Sequence, residues 1–354
     1  MNTMEETGPL EDRIRHFAAQ ASAFKSHKKA RDAAFLAWRT MNRRKLENAS
    51  RGVEKLENFN SDLYTLPASV SFSTYKIQSP LVRASKLTSQ ENGGVGKELS
   101  DGWVANYAIG CTHGCKFCYV DAIHKKFGFR RIGNIVYEGW GDYFAVPDNL
   151  QEAIETTKWK RWCGIEVMLS STHDPYLPQV YKWTRKILET ALPEGVKFCI
   201  QTRSPLVEQD MQLISEFKDQ VRLQVSIATM NEDLAKAIEP RVVKPERRLQ
   251  ILDKAKSYEL NTGVIIAPVF PELKIRKHVF GDIRAIAAKL NDIKPDHIYG
   301  ESLHLRGINI AYVEDALGEK VVLDGFDEVA ESKFHEALAL YGLKGRWWKE
   351  HLKA

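Results

Sequence analysis

From Trp103 onward the chain alternates two textures. Short apolar runs rich in Val, Ile and aromatic residues predict strands over 103–110, 164–171, 197–203, 221–227, 262–269 and 297–305. Between them, apolar residues recur every three or four positions and predict helices over 149–162, 179–192, 206–217, 246–258 and 276–290. Asp148 is expected to cap the first of these helices, and Pro205 after Ser204 to open the third. Upstream, Ile14, Phe17, Ala21, Phe24, Phe35, Trp38 and Met41 continue a helical period with no Gly or Pro from Leu10 to Ser50. The expected organisation is a basic helical arm (1–60), an extended linker and loop (61–102), a core of alternating strands and helices (103–306) and a C-terminal helical extension (307–354).

Six strands alternating with helices form an α/β fold with parallel strands and right-handed crossovers, either an open doubly wound sheet or a full or partial barrel. In both, ligands collect at the C-terminal strand ends. The unusual polar residues fall there: cysteines after the first strand, SSTHD after the second, TRS after the third and Ser226 in the fourth. A plain scaffold has no need of that placement.

Composition narrows the class only a little. The 354 residues are 44% hydrophobic and 27% charged, within the ordinary range for a globular enzyme. No apolar run approaches the roughly 20 residues of a membrane span, and the acidic, polar start lacks the apolar core of a signal peptide. Five cysteines, an odd number with three crowded together, do not form a secreted disulfide framework, so a cytoplasmic protein is expected. Net charge is only +5, but between Lys25 and Lys45 eight Lys and Arg face the single acid Asp32. That stripe suits either a solvated helix face or a phosphate backbone.

The chemistry concentrates in GCTHGCKFCYV, residues 110–120. Thiolates bind zinc and iron alike, and a closed zinc site wants four ligands. Cys111, Cys115 and Cys118 supply three; only His113 or His124 is near enough in sequence to complete a zinc site.

Three cysteines spaced Cys-x-x-x-Cys-x-aromatic-Cys after the first strand of a βα series resemble the radical S-adenosylmethionine (SAM) superfamily. The resemblance implies a partial (β/α)6 TIM-type barrel and a [4Fe-4S] cluster held by those cysteines, whose fourth iron chelates SAM. Cleavage of SAM to a 5′-deoxyadenosyl radical, which abstracts a hydrogen atom, follows. It also implies roles at the strand ends. Ser170, Ser171 and Thr172 would receive the methionine amino group, Arg203 its carboxylate, Ser226 the ribose or carboxylate, and Ala267 would lie near the adenine. Tyr119, Ser171, His173 and Asp174 are the catalytic candidates, with His113 and Tyr176 near the expected site. An electron donor such as flavodoxin or ferredoxin is implied. Cys163 and Cys199 are expected to be buried apolar residues.

Further segments, including SSTHDPYLP, QTRSPLVEQDMQLI and ESLHLRG, make the chain similar to the spore photoproduct lyase-related, DNA repair photolyase-like group. The lyase returns a hydrogen from a cysteine in a Cys-Thr-x-Asp run; Ser171 stands at that place here, and its O–H bond is too strong for the task. Phe117 also lacks the hydroxyl of one flanking tyrosine. Photoproduct repair is therefore not expected. The expected function is radical hydrogen abstraction from an unidentified substrate, with nucleic acid the candidate through the basic arm. A peptide or small metabolite is the first alternative. A zinc-stabilised nucleic-acid-binding protein is the second.

Overall fold

The computed structural model describes residues 70–83, 102–128, 132 and 139–348. The predicted helical arm, the basic stripe and most of the 61–102 segment lie outside the described residues.

The six predicted strands are present as β3 (Trp103–Ala105), β5 (Glu166–Leu169), β6 (Lys197–Thr202), β7 (Val221–Ser226), β8 (Asn261–Val269) and β9 (His297–Ser302). Consecutive members pair in parallel in that order. Order along the sheet equal to order along the chain decides between the two architectures. A doubly wound sheet reverses direction midway. Right-handed crossovers that never reverse place every helix on one face, and the sheet curls around the other. The hydrogen-bonded series runs from one edge to the other without returning, so the barrel is partial. Near-continuous burial along β6 and β7 fits strands covered on both faces.

Four further short strands are present, two of them inside the segment expected to be extended and two that the sequence pattern missed. β2 (Leu81–Arg83) caps the first edge antiparallel to β3, and β10 (Arg346–Trp347) caps the last edge beside β9. β1 (Ser71–Tyr75) pairs in parallel with β4 (Tyr143–Pro147) as a separate ribbon. A two-residue strand has no readable period. β10 is held instead by Trp347, 1% exposed, where a Cβ on Gly300 would come within 2.6 Å of its ring.

The crossover helices follow the predicted positions with local differences. The first, α2 (Leu150–Thr156), comes after the short α1 (Val120–Ile123) and a π turn over His124–Gly128. Asn149, not Asp148, holds its N-cap position, and the Asn149 amide exchanges hydrogen bonds with the Ile77 backbone (3.0 and 2.8 Å). The helix stops at Thr156 because Thr157 turns extended, leaving Trp159–Trp162 as a separate 3-10 turn. α3 (Tyr181–Ala191), α4 (Met211–Ser215), α6 (Pro245–Ser257) and α7 (Val279–Ile293) follow. Ser204 caps the turn opened by Pro205, accepting from the Leu206 N–H at 3.3 Å. α5 (Glu232–Ile238), not predicted, starts at Asn231, which accepts from the Leu234 N–H at 2.8 Å. α8 (Asn309–Leu317) and α9 (Phe326–Ala339) form the helical C-terminal part.

Candidate active site

The cysteine loop leaves β3 and is fixed from outside. Ile109 exchanges backbone hydrogen bonds with Ala145 of β4 (2.9 and 2.8 Å). Gly110 follows at φ +93°, where a Cβ would lie 2.2 Å from the Tyr143 carbonyl oxygen, so no other residue fits. Turns closed by Gly114 N–H to Cys111 O and Cys118 N–H to Cys115 O, both 3.1 Å, fold the loop back on itself. The Arg241 guanidinium clamps its outer side, donating to Thr112 O (3.2 Å), Gly141 O (2.6 Å) and Asp142 Oδ1 (2.6 Å).

Cys111 and Cys115 are buried and Cys118 is half-buried. Burial pushes the Cys111 and Cys118 thiols up to about 12 and raises Cys115 as well. Bare, they would stay protonated at neutral pH; a metal centre converts such thiols to ligating thiolates. His124, a candidate fourth zinc ligand, accepts the Gly110 N–H at Nδ1 (3.2 Å). Three thiols on one loop facing an open cleft fit a cluster that uses three protein ligands and leaves one iron for SAM.

That cleft opens at the C-terminal ends of the barrel strands, and the residues predicted to hold the cluster and SAM and to act in catalysis all line it. Asn106, just past β3, organises the end of β5. Its Oδ1 accepts from Ser170 Oγ (2.7 Å) and Ser171 N–H (3.0 Å), and its Nδ2 donates to Ser171 Oγ at 3.0 Å. Thr172 donates to Ala108 O (3.3 Å), and the Tyr119 hydroxyl donates to Ser171 O (3.3 Å). His173 Nδ1 lies 3.1 Å from Ser170 Oγ, and burial pushes its pKa down to about 3, so it is neutral. Asp174 accepts from Tyr176 N–H (2.8 Å), Thr202 Oγ1 (2.6 Å) and Arg203 N–H (2.7 Å). It is a brace joining the ends of β5 and β6.

Arg203 leads into a buried network that the sequence did not disclose. Its Nε donates to Glu239 Oε1 (2.9 Å). Arg248 Nη2 donates to Glu239 Oε2 (2.5 Å), and Arg248 Nη1 to the Ser226 carbonyl (2.7 Å). Burial disfavours charge on Glu239, but Arg248 and Arg203 outweigh it and hold the carboxyl below the usual range. The Arg203 guanidinium also lies 5.5 Å over the Phe117 ring.

Some expectations need correction. Tyr176, placed near the site, is fully buried and turned away, donating to Asp210 Oδ2 (3.0 Å). Cys163, expected in the core, is exposed, while Cys199 is buried in β6. The cleft also includes Trp140, Glu301, His304 and Arg306, which sequence reasoning left without roles. The ESLHLRG segment carries the last three, and its polar residues at the close of an apolar strand were the available signal.

The Radical SAM superfamily model matches residues 106–280. An uncharacterized protein of Acidianus two-tailed virus is 56% identical over 293 residues, covering 82% of this chain and 96% of the relative. An uncharacterized protein of Methanocaldococcus jannaschii is 27% identical over 184 residues, covering 51% of this chain and 66% of its own. A structure of spore photoproduct lyase complexed with dinucleoside spore photoproduct has a TM-score of 0.55 at 12% identity, covering 84% of this chain and 86% of that one. A spore photoproduct lyase mutant with bound AdoMet and the same dinucleoside gives 0.53 at 12% identity, covering 75% and 85%. The chain belongs to the radical SAM superfamily and is an enzyme. Its family uses a [4Fe-4S] cluster and SAM, and its fold is that of the lyase structures.

Proposed function

We propose that Cys111, Cys115 and Cys118 hold the cluster, that Ser170, Ser171, Thr172, Arg203, Ser226 and Ala267 hold SAM, and that the substrate is a nucleic acid. One observation carries the first two parts: all nine residues, from five different strand ends, line a single cleft. When bound, the cluster supplies the electron that cleaves SAM and so the power to abstract hydrogen.

The chain's own residues position and enclose. Glu239 pins Nε of Arg203, whose Nη groups bond to no described residue and form a fork for a carboxylate. Asn106 holds the Ser170 and Ser171 hydroxyls, leaving the strand-end loop a fixed acceptor surface for an ammonium group. Asp174 fixes the backbone at Arg203 and so acts as a positioning residue. Tyr119, 38% exposed at the cleft edge, directs its hydroxyl at the Ser171 carbonyl and stands where substrate enters. Ser171 is no hydrogen donor to a carbon radical, which argues against the lyase's own reaction.

Support for nucleic acid comes from the fold shared with a lyase complexed with a dinucleoside, and from the basic stripe at Lys25–Lys45. The test is 5′-deoxyadenosine release by the anaerobically reconstituted full chain under dithionite, with and without single-stranded DNA. Release that Cys115→Ala abolishes and DNA accelerates supports the reading. Release that DNA leaves unchanged, and a short peptide accelerates, would move the substrate to the peptide class.

A further inference from the structure

The cysteine loop has two sides, and one of them faces away from the cleft. Cys111, His113, Cys115 and Phe117 line the cleft, whereas Thr112, Gly114 and Lys116, which alternate with them, do not. Other segments meet these outer residues. Thr112 Oγ1 donates to Gln179 Oε1 (3.2 Å), just before α3, and Lys116 N–H donates to Ile238 O (2.8 Å) at the end of α5. Between them the wall is backbone: Gly114 and Gly141 meet so closely that a Cβ on Gly141 would lie 2.7 Å from the Gly114 Cα.

The charge gathered around this outer side is positive and uncompensated. Lys182 on α3 and Lys236 on α5 are exposed, Lys116 is half-buried, and none of the three forms an ion pair with a described residue. Most nearby acids are already matched: Asp142 by Arg241 (2.6 Å), Glu189 by Arg185 (2.9 Å) and Glu232 by Lys244 (2.7 Å). Among the described residues of α3, α5 and the loop, Asp233 is the acid left unpaired. Beside Gln179 the surface dips into a groove where half-buried Tyr181 and Trp183 stand next to Lys182. Aromatic side chains with charge at their rim are the make-up of a protein-binding patch.

We infer that the outer side of the cysteine loop, with Lys116, Lys182 and Lys236 around it, docks an acidic electron-carrier protein. The inference rests on the cluster reading above and deepens it by naming where the electron enters. In that reading SAM and substrate fill the cleft, so a protein-sized donor approaches from the other side, where Gly114 and Gly141 add no side chains of their own to the wall. The carrier loses one electron and the cluster gains it; no atom passes between them. Lysines on one surface and carboxylates on the other speed the encounter without touching the cysteines.

The test is stopped-flow reduction of the anaerobically reconstituted full chain by flavodoxin hydroquinone, an acidic one-electron carrier, followed by the bleaching of the cluster absorbance, with dithionite as the small-molecule comparison. Wild type should be reduced by flavodoxin at a rate that falls as salt rises. Lys182→Glu with Lys236→Glu should slow that rate about tenfold at low salt, the lower end of what charge steering contributes, and remove most of the salt dependence. Lys116→Gln should act in the same direction and less strongly. Lys158→Glu with Lys294→Glu makes the same change of net charge ahead of β5 and β9, at the opposite strand ends, and should keep the wild-type rate. Dithionite reduction, iron content and melting temperature should stay at wild-type values throughout, because neither Lys182 nor Lys236 gives up an ion pair. A Lys182→Glu, Lys236→Glu protein that flavodoxin reduces at the wild-type rate overturns the inference and leaves the cluster reading standing, as does a wild type that dithionite reduces and flavodoxin does not. Wild type with no reducible cluster overturns both.

Discussion

Glu239→Gln perturbs the centre of the proposed SAM site without changing its shape. In the native fold this carboxylate is 2% exposed and bridges Arg203 and Arg248, the latter 0% exposed. The amide keeps one acceptor but removes the carboxylate charge that bridges the Arg203 and Arg248 guanidinium groups. Breaking a buried pair by removing one partner costs about 3–5 kcal/mol. At about 2 °C per kcal/mol, the low end expected for a chain of this size, the melting temperature should fall by roughly 6–10 °C. SAM affinity should fall as well, since Arg203 loses the bond that aims its fork. Because Arg248 and Arg203 hold Glu239 below the usual carboxylate range, the wild-type contribution is present above that range and is lost only as pH falls through the lowered value. The measurements are a circular-dichroism melt and calorimetric titration with SAM on the reconstituted protein. A variant that melts within a degree of wild type, with unchanged SAM affinity, would refute the reasoning.

Other predictions test the scaffold around the cysteines. Gly110→Ala should abolish iron retention, because its Cβ would meet the Tyr143 carbonyl at 2.2 Å; Gly318→Ala, also at positive φ but with nothing within 4 Å, should retain iron. Arg241→Ala should speed amide exchange in the loop and lower iron content, and Arg241→Lys should rescue little because a lysine cannot reproduce the three-acceptor fork. His124 and His173 are held neutral by burial, each with its pKa pushed down to about 3. Below about 6.5 the unfolded chain takes up protons that the fold refuses, so stability should fall as pH drops from 6.5 towards 3. Urea denaturation of His173→Asn should show that slope reduced by about 1.4 kcal/mol per pH unit.

The catalytic half of the molecule was legible because its chemistry sits in local runs. Three cysteines on eight residues, and polar residues closing apolar strands, are visible without knowing what packs where. The barrel strands were legible for the same reason, each being an apolar run bounded by a break. What escaped depends on contacts between distant segments. Glu239 meets Arg203 across 36 residues, and Arg241 reaches Thr112 across 129. Neither distance leaves a pattern in the chain. Asn149, not Asp148, takes the N-cap position of its helix without capping it, its amide being engaged by the backbone of Ile77, a tertiary partner that capping preference does not include. Tyr176 sits two residues past Asp174 yet turns inward, since a fully buried hydroxyl needs a partner and Asp210 supplies it.

The central claim is that the three cysteines hold a cluster that binds SAM at its open iron. Low-temperature EPR of the anaerobically reconstituted, dithionite-reduced full chain, recorded with and without SAM, tests it most directly. A brown protein is expected, with a reduced-cluster signal that shifts when SAM is added, together with a Cys115→Ala variant that has no such signal. A colourless protein holding one zinc, or a cluster signal indifferent to SAM, would contradict it.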